Sequence, residues 1–172
     1  GLALEQFKIM EDLSPQRKSR EKTFDGKDLY FFADKALRAE NYVYAEEAFQ
    51  LILENYPKSS FISKAMYGLA ISKQKQGLAD EALLQFHNII KKSGNAKMAQ
   101  ESQFQIGEIY FENIFDLEKA IDAYKTLLRR YPGSKFSNQA YFRLGDCNIA
   151  LGKYTDAATW YLRSKSLLEP RS

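Results

Sequence analysis

The stretch Ala120-Ile121-Asp122-Ala123-Tyr124, running on to Leu127-Leu128 and closing at Tyr131-Pro132, is written several times along the chain. The same frame stands at Ala45, Phe49, Ile52-Leu53 and Tyr56-Pro57. It returns at Ala82, Phe86 and Ile89-Ile90, and again at Ala157 with Tyr161. The leading alanines are separated by 37 residues (45 to 82), 38 (82 to 120) and 37 (120 to 157). Self-similarity at a fixed period marks a repeat array, in which each unit buries its apolar face by stacking on its neighbours. Within each copy the apolar residues recur at three and four, the spacing of one face of an α-helix.

Outward from these stretches the pattern is helix, tight turn, helix. The spacing predicts first helices over 27–40, 60–76, 97–112 and 135–151, and second helices over 42–55, 79–92, 116–130 and 154–168. Gly77 and Gly152 fall in the turns inside hairpins, where a helix end favours a left-handed residue. Pro57 and Pro132 follow second helices, which proline cannot continue. Lys91-Lys92 and Arg129-Arg130 sit in last turns, where cations oppose the helix dipole. Ala45, Ala82, Ala120 and Ala157 recur at one place in the second helices, and Ala33, Ala70, Gly107 and Gly145 at one place in the first. Small side chains let two helices approach closely, and the aromatics four residues after the alanines fill the space this leaves.

The two ends depart from the frame. Ala3, Phe7 and Pro15 have the spacing of Ala45, Phe49 and Pro57. Residues 1–14 therefore read as the second helix of a repeat whose first helix is missing, cut from a longer array. Residues 15–26 read as a polar loop holding the basic run Arg17-Lys18-Ser19-Arg20, a solvated linker. Four repeats follow over 27–59, 60–96, 97–134 and 135–172. The last second helix carries Ser164-Lys165 where the others carry an apolar pair, as expected of a terminal repeat with a polar outer face. The expected fold is all-α, an α-α superhelix of antiparallel hairpins with about nine helices.

Composition narrows the function classes. Lys and Arg exceed Asp and Glu by only three (25 against 22), so no strong field points to nucleic acid or an anionic membrane. No apolar run approaches the roughly 18 residues of a membrane span. The single cysteine, Cys147, excludes an intrachain disulfide and leaves the redox compartment open. His87 is the only histidine and lies far from Cys147 in sequence. No metal-ligand spacing and no glycine-rich phosphate loop occurs, and pairs such as Glu46-Glu47 lie on helix faces. The sequence offers no catalytic, cofactor or metal residues.

These residues resemble the tetratricopeptide repeat (TPR), whose pattern is W-x2-L-G-x2-Y…A-x3-F…P over about 34 residues. Ile106-Gly107-Glu108-Ile109-Tyr110 and Leu144-Gly145 match its L-G portion, and the A-x3-F/Y and proline portions match as given above. The leading tryptophan is absent throughout and Gly94 stands in place of one proline. Tyr-Pro-Lys-Ser (56–59) and Tyr-Pro-Gly-Ser (131–134), with the long period, look like bacterial cell-envelope TPR proteins. That group includes the periplasmic TPR protein of the Tol–Pal system and the TPR lipoprotein of the outer-membrane assembly machinery. The resemblance implies an envelope or periplasmic location, with a cytoplasmic scaffold as the alternative.

The resemblance also implies a non-catalytic scaffold whose first helices line a concave groove for a partner peptide or helix. In register with that family, the groove would be lined by Tyr30, Tyr67, Phe104 and Phe142, and four residues on by Asp34, Ile71, Glu108 and Asp146. Aromatic anchors beside carboxylates suit a partner segment with apolar and basic residues. The alternative for the aromatics is simple packing between neighbouring helices. The lysine, asparagine and arginine clamp with which some TPR domains hold a terminal carboxylate is absent, since the places hold Tyr30, Asp34, Gly68 and Gln105. Trp160 replaces the small Ala48 and Ala123, either as filler at the terminal cap or as an anchor for another subunit, so self-association stays open.

Overall fold

The structure is a computed structural model that describes Glu5 and residues 25–92 and 96–166. Among them lie eight α-helices: α1 (Gly26–Arg38), α2 (Tyr42–Asn55), α3 (Ile62–Lys75), α4 (Ala79–Lys92), α5 (Ala96–Glu108), α6 (Leu117–Arg130), α7 (Ser137–Ala150) and α8 (Tyr154–Ser166). A π-helical segment, Ile109–Ile114, continues α5. All regular structure among the described residues is helical, as the sequence predicts. The predicted helix over residues 1–14, of which only the helical Glu5 is described, and the predicted loop over 15–26 before Asp25 fall outside these residues.

The chain forms two compact units, Gly1–Gln85 and Phe86–Ser172. The first has a core of Leu29, Ala33, Ala45, Ala48, Phe49, Ile52, Ala65 and Leu69. Asp25 starts its first helix: one carboxylate oxygen accepts from the amides of Lys27 (2.8 Å) and Asp28 (2.9 Å), which have no partner within the helix. Lys73 ties α3 to its neighbours, with its ammonium 2.7 Å from Glu46 on α2 and 2.6 Å from Glu81 on α4. Burial alone would lower its pKa, but the hydrogen bonds to Glu46 and Glu81 raise it.

The second unit has a core of Phe104, Ala120, Tyr124, Leu127, Ala140, Leu144 and Cys147. Ser164, at the place where the preceding repeat buries Leu127, is itself buried and donates to the Asn138 side chain at 2.6 Å. Trp160 is half-buried and stacks on Tyr141 (centroids 6.0 Å, interplanar 21°), packed against this core.

One departure from the prediction has a traceable cause. The small residues of a hairpin lie 12 residues apart in three cases (33 to 45, 70 to 82, 145 to 157), but Gly107 and Ala120 lie 13 apart. Each of the three shorter hairpins closes with an amide bonded to the carbonyl five residues back: Asn41 to Ala36, Leu78 to Lys73 and Lys153 to Asn148. In the longer one the amide of Asp116 reaches the Tyr110 carbonyl, six residues back, at 2.9 Å. A π turn holds one more residue than an α turn, and the helix takes up the extra residue in this way. The residue before each closing amide is left-handed: Glu40 (φ 59°), Gly77 (80°), Phe115 (62°) and Gly152 (71°).

Candidate functional site

Directly after the small residue of each first helix comes the second position expected to line the groove, a carboxylate in three of the four repeats. In the first unit these are Asp34 and Ile71. Asp34 pairs along its own helix with Arg38 at 2.8 Å. Tyr30, one turn before, is half-buried, with its ring 4.8 Å from Phe61 and 6.1 Å from Phe49. Burial, then the nearby Asp34 charge, raises the pKa of its hydroxyl. Tyr67 and Ile71 are likewise half-buried.

In the second unit the same positions hold Glu108 and Asp146, and each is held by a tyrosine from the second helix of its hairpin. Tyr124 donates to Glu108 at 2.5 Å and Tyr161 to Asp146 at 2.7 Å. These tyrosines are the aromatics of the repeat frame. Their counterparts Phe49 and Phe86 lack the hydroxyl. Burial, then the bond to Glu108, pushes the Tyr124 pKa well up, and burial with the bond to Asp146 pushes Tyr161 up to about 12.

Arg143 of α7, which the sequence reading did not single out, joins these carboxylates. Its guanidinium donates to both oxygens of Glu108 (2.9 and 2.7 Å) and to Glu112 (2.8 Å), and lies 3.6 Å from Asp146. It also sits over the Phe111 ring at 4.9 Å. The hydrogen bonds it donates to Glu108 raise its already high pKa. Glu112 reaches this cluster from the π-helical segment. Three carboxylates against one guanidinium leave two negative charges. The places that correspond to Arg143 hold Phe31, Gly68 and Gln105. A cation at that position in one repeat alone, beside two carboxylate positions, was the signal available in sequence.

The four expected aromatics do not behave alike. Phe104 is 8% exposed, stacked on Phe136 (5.1 Å, 15°) and tilted on Tyr124 (5.8 Å), so its ring belongs mainly to the core. Phe142 is 53% exposed, with its ring 5.2 Å from Tyr161. Phe104, Glu108, Phe142 and Arg143 line one recess of about 440 Å3, together with Asn138, Gln139 and Ser164. The structure thus brings together Phe104, Glu108, Phe142 and, through Arg143, Asp146.

The groups weighed for catalysis, Cys147 and His87, do not line this recess. Burial pushes the Cys147 thiol up to about 12, and a thiol held protonated is a poor nucleophile. His87 is exposed on α4. Among the described residues no group of three or more His, Cys, Asp or Glu side chains could hold a metal ion, and no helix is long and apolar enough to cross a membrane.

Residues 22–168 match the model of the YfiO family, described as an outer membrane lipoprotein. No curated protein sequence matches the chain. Among solved structures the chain is similar to a tetratricopeptide repeat protein from Parabacteroides merdae, at 21% identity and a TM-score of 0.63. That match covers 78% of this chain and 50% of the other, so this chain spans about half its length. It is also similar to MamA (15% identity, TM-score 0.68, 95% of this chain and 85% of that one) and to MamA of Desulfovibrio magneticus RS-1 (18%, 0.67, 97% and 86%). Likeness at these identities shows the tetratricopeptide-type fold.

Proposed function

The chain belongs to the YfiO outer membrane lipoprotein family, and from that premise we propose that it is a non-catalytic protein-interaction scaffold of the bacterial cell envelope. It holds a partner segment on the groove side of its first helices. The partner is a peptide or helix that pairs apolar with basic residues. One observation carries this reading: the exposed Phe142 ring borders a recess lined by Glu108 and Arg143, and the ion-pair cluster that Arg143 forms with Glu108, Glu112 and Asp146 carries two net negative charges. An exposed aromatic supplies apolar contact area at small entropic cost, and the surrounding charge selects a basic partner and steers its approach. Tyr30, Asp34, Tyr67 and Ile71 are proposed as contacts of the same kind in the first unit.

The test is capture from separated envelope and cytosolic fractions, with this chain as bait and Phe142→Ala as the control bait. Phe142 suits the control because its ring is exposed, whereas truncating the buried Phe104 would damage the core. A partner recovered from the envelope fraction and lost with Phe142→Ala supports both site and compartment. A partner held equally by both baits moves the site elsewhere.

A second reading, self-assembly, draws on the last helix, where Tyr154 and Leu162 are 68% and 67% exposed. Light scattering over a dilution series separates the two, because self-assembly requires a mass that rises with concentration.

A further inference from the structure

We infer that Arg143 is a built-in stand-in for the partner's cation: it fills the acidic site of the free protein, and a partner's lysine or arginine enters by taking over its outer ion pairs to Glu112 and Asp146. The inference rests on the reading of this face as a binding surface for basic segments, and specifies how that surface is regulated.

The ion pairs of Arg143 are graded from inside outwards. Glu108, with its side chain 13% exposed, receives two guanidinium hydrogen bonds in the planar fork geometry that suits a carboxylate. Glu112 receives one bond and is 49% exposed. Asp146, at 3.6 Å, is paired by charge and lies beyond ordinary hydrogen-bond length. An exposed single bond, as to Glu112, and a pair beyond hydrogen-bond length, as to Asp146, contribute little and exchange readily, while a half-buried bidentate pair holds. The outer two carboxylates are therefore the ones a competing cation can win.

The carboxylates on the two first helices do not depend on Arg143 for their positions. Tyr124 holds Glu108 and Tyr161 holds Asp146, each from the second helix of its hairpin. If the guanidinium swings away, the acceptors remain oriented for an incoming cation, a pre-organisation that lowers the cost of binding. The two earlier repeats have no such tyrosine, since their second helices carry Phe49 and Phe86 at this place. Phe142, exposed next to Arg143 in sequence and lining the same recess, supplies the apolar contact beside the exchanging charge. The ligand chemistry is a basic residue adjacent to a large apolar one, on a protein segment.

The test measures fluorescence anisotropy of a labelled synthetic peptide of alternating leucine and lysine blocks, with a leucine–glutamate peptide as the control. Wild type, Arg143→Gln and Glu112→Gln are compared at one salt concentration. The expected result is binding of the lysine peptide alone. Arg143→Gln should tighten it on the order of fivefold, because the competing cation is gone and three negative charges remain; Glu112→Gln should weaken it by a similar factor. The same peptide should raise the melting temperature of Arg143→Gln more than that of wild type, since it replaces the missing partner of Glu108.

If wild type binds and Arg143→Gln binds equally or more weakly, the stand-in role falls while the binding surface survives. If neither binds, surface and stand-in fall together. Binding by Arg143→Gln alone supports the stand-in in its strongest form. Should Arg143→Gln fail to fold, Glu112→Gln decides, and an unchanged affinity there overturns the inference.

Discussion

The ring of Tyr124 lies directly against Gly107, and a Cβ on that glycine would have to occupy space the ring already fills. Gly145 meets Tyr161 in the same way within its hairpin, whereas Gly68 meets Phe49 of the preceding hairpin. The glycine in the first helix and the aromatic in the second are one packing unit, and the tyrosine hydroxyl then reaches the carboxylate beside the glycine.

Gly107→Ala is therefore expected to destabilise the protein by about 1–3 kcal/mol through overpacking, outweighing the roughly 1 kcal/mol that alanine gains in a helix interior. Urea unfolding followed by circular dichroism measures it. A neutral or stabilising result would mean that the Tyr124 ring moves aside freely.

Tyr124→Phe keeps the packing and removes the hydroxyl. Glu108 then loses a charge-assisted hydrogen bond, with an expected cost of about 1.5–3 kcal/mol. Glu108→Gln in either background should cost further stability, because it also breaks the two hydrogen bonds from Arg143, and a double-mutant cycle isolates the coupling between the hydroxyl and the carboxylate.

Phe115→Gly should raise stability by about 1 kcal/mol, because Phe115 is left-handed at φ 62° and 76% exposed, so the substitution relieves backbone strain and gives up little burial. Denaturant midpoints of the two proteins check it. A loss of stability would show that the Phe115 ring packs in solution.

Alkali should weaken the fold in a defined window. Burial raises the Cys147 thiol from 9.0 to about 12 and, with the Asp146 bond, raises Tyr161 from 10.0 to about 12. Both groups are neutral when protonated, and the unfolded chain loses their protons first. Their contribution is thus fully present below pH 9 and is lost as the pH rises towards 12. The melting temperature should be flat with respect to these groups below pH 9 and fall above it. Cys147→Ala should remove part of that fall. At pH 8 a thiol reagent should react with Cys147 only as fast as the protein opens.

The helices were legible because each stage of their formation leaves a local mark: apolar spacing, the paired small residues, and Gly77 and Gly152 at the turns. The predicted spans 42–55 and 79–92 coincide with α2 and α4. The π-helical segment is written only in the comparison of intervals, 13 residues from Gly107 to Ala120 against 12 elsewhere, and a helix-by-helix reading passes over it. At the candidate site, repeat register located Glu108, Phe142 and Asp146 but said nothing of Arg143. Register identifies what is equivalent between repeats, and Arg143 matters because it differs from Phe31, Gly68 and Gln105. Phe104 and Phe142 share a register position yet differ in burial, because Phe136 stacks on the first and leaves the second open.

The widened turn at Ile109–Ile114 also bears on how such a chain tolerates change in length. One surplus residue is absorbed inside a single hairpin, and the interval from Ala120 to Ala157 returns to 37. The slack is confined to the place where it arises, so the phase of the following helices is untouched. An array built on this plan can gain a residue by mutation without rebuilding its interfaces, and the bulge that stores it brings a new side chain, here Glu112, onto a surface where selection can act.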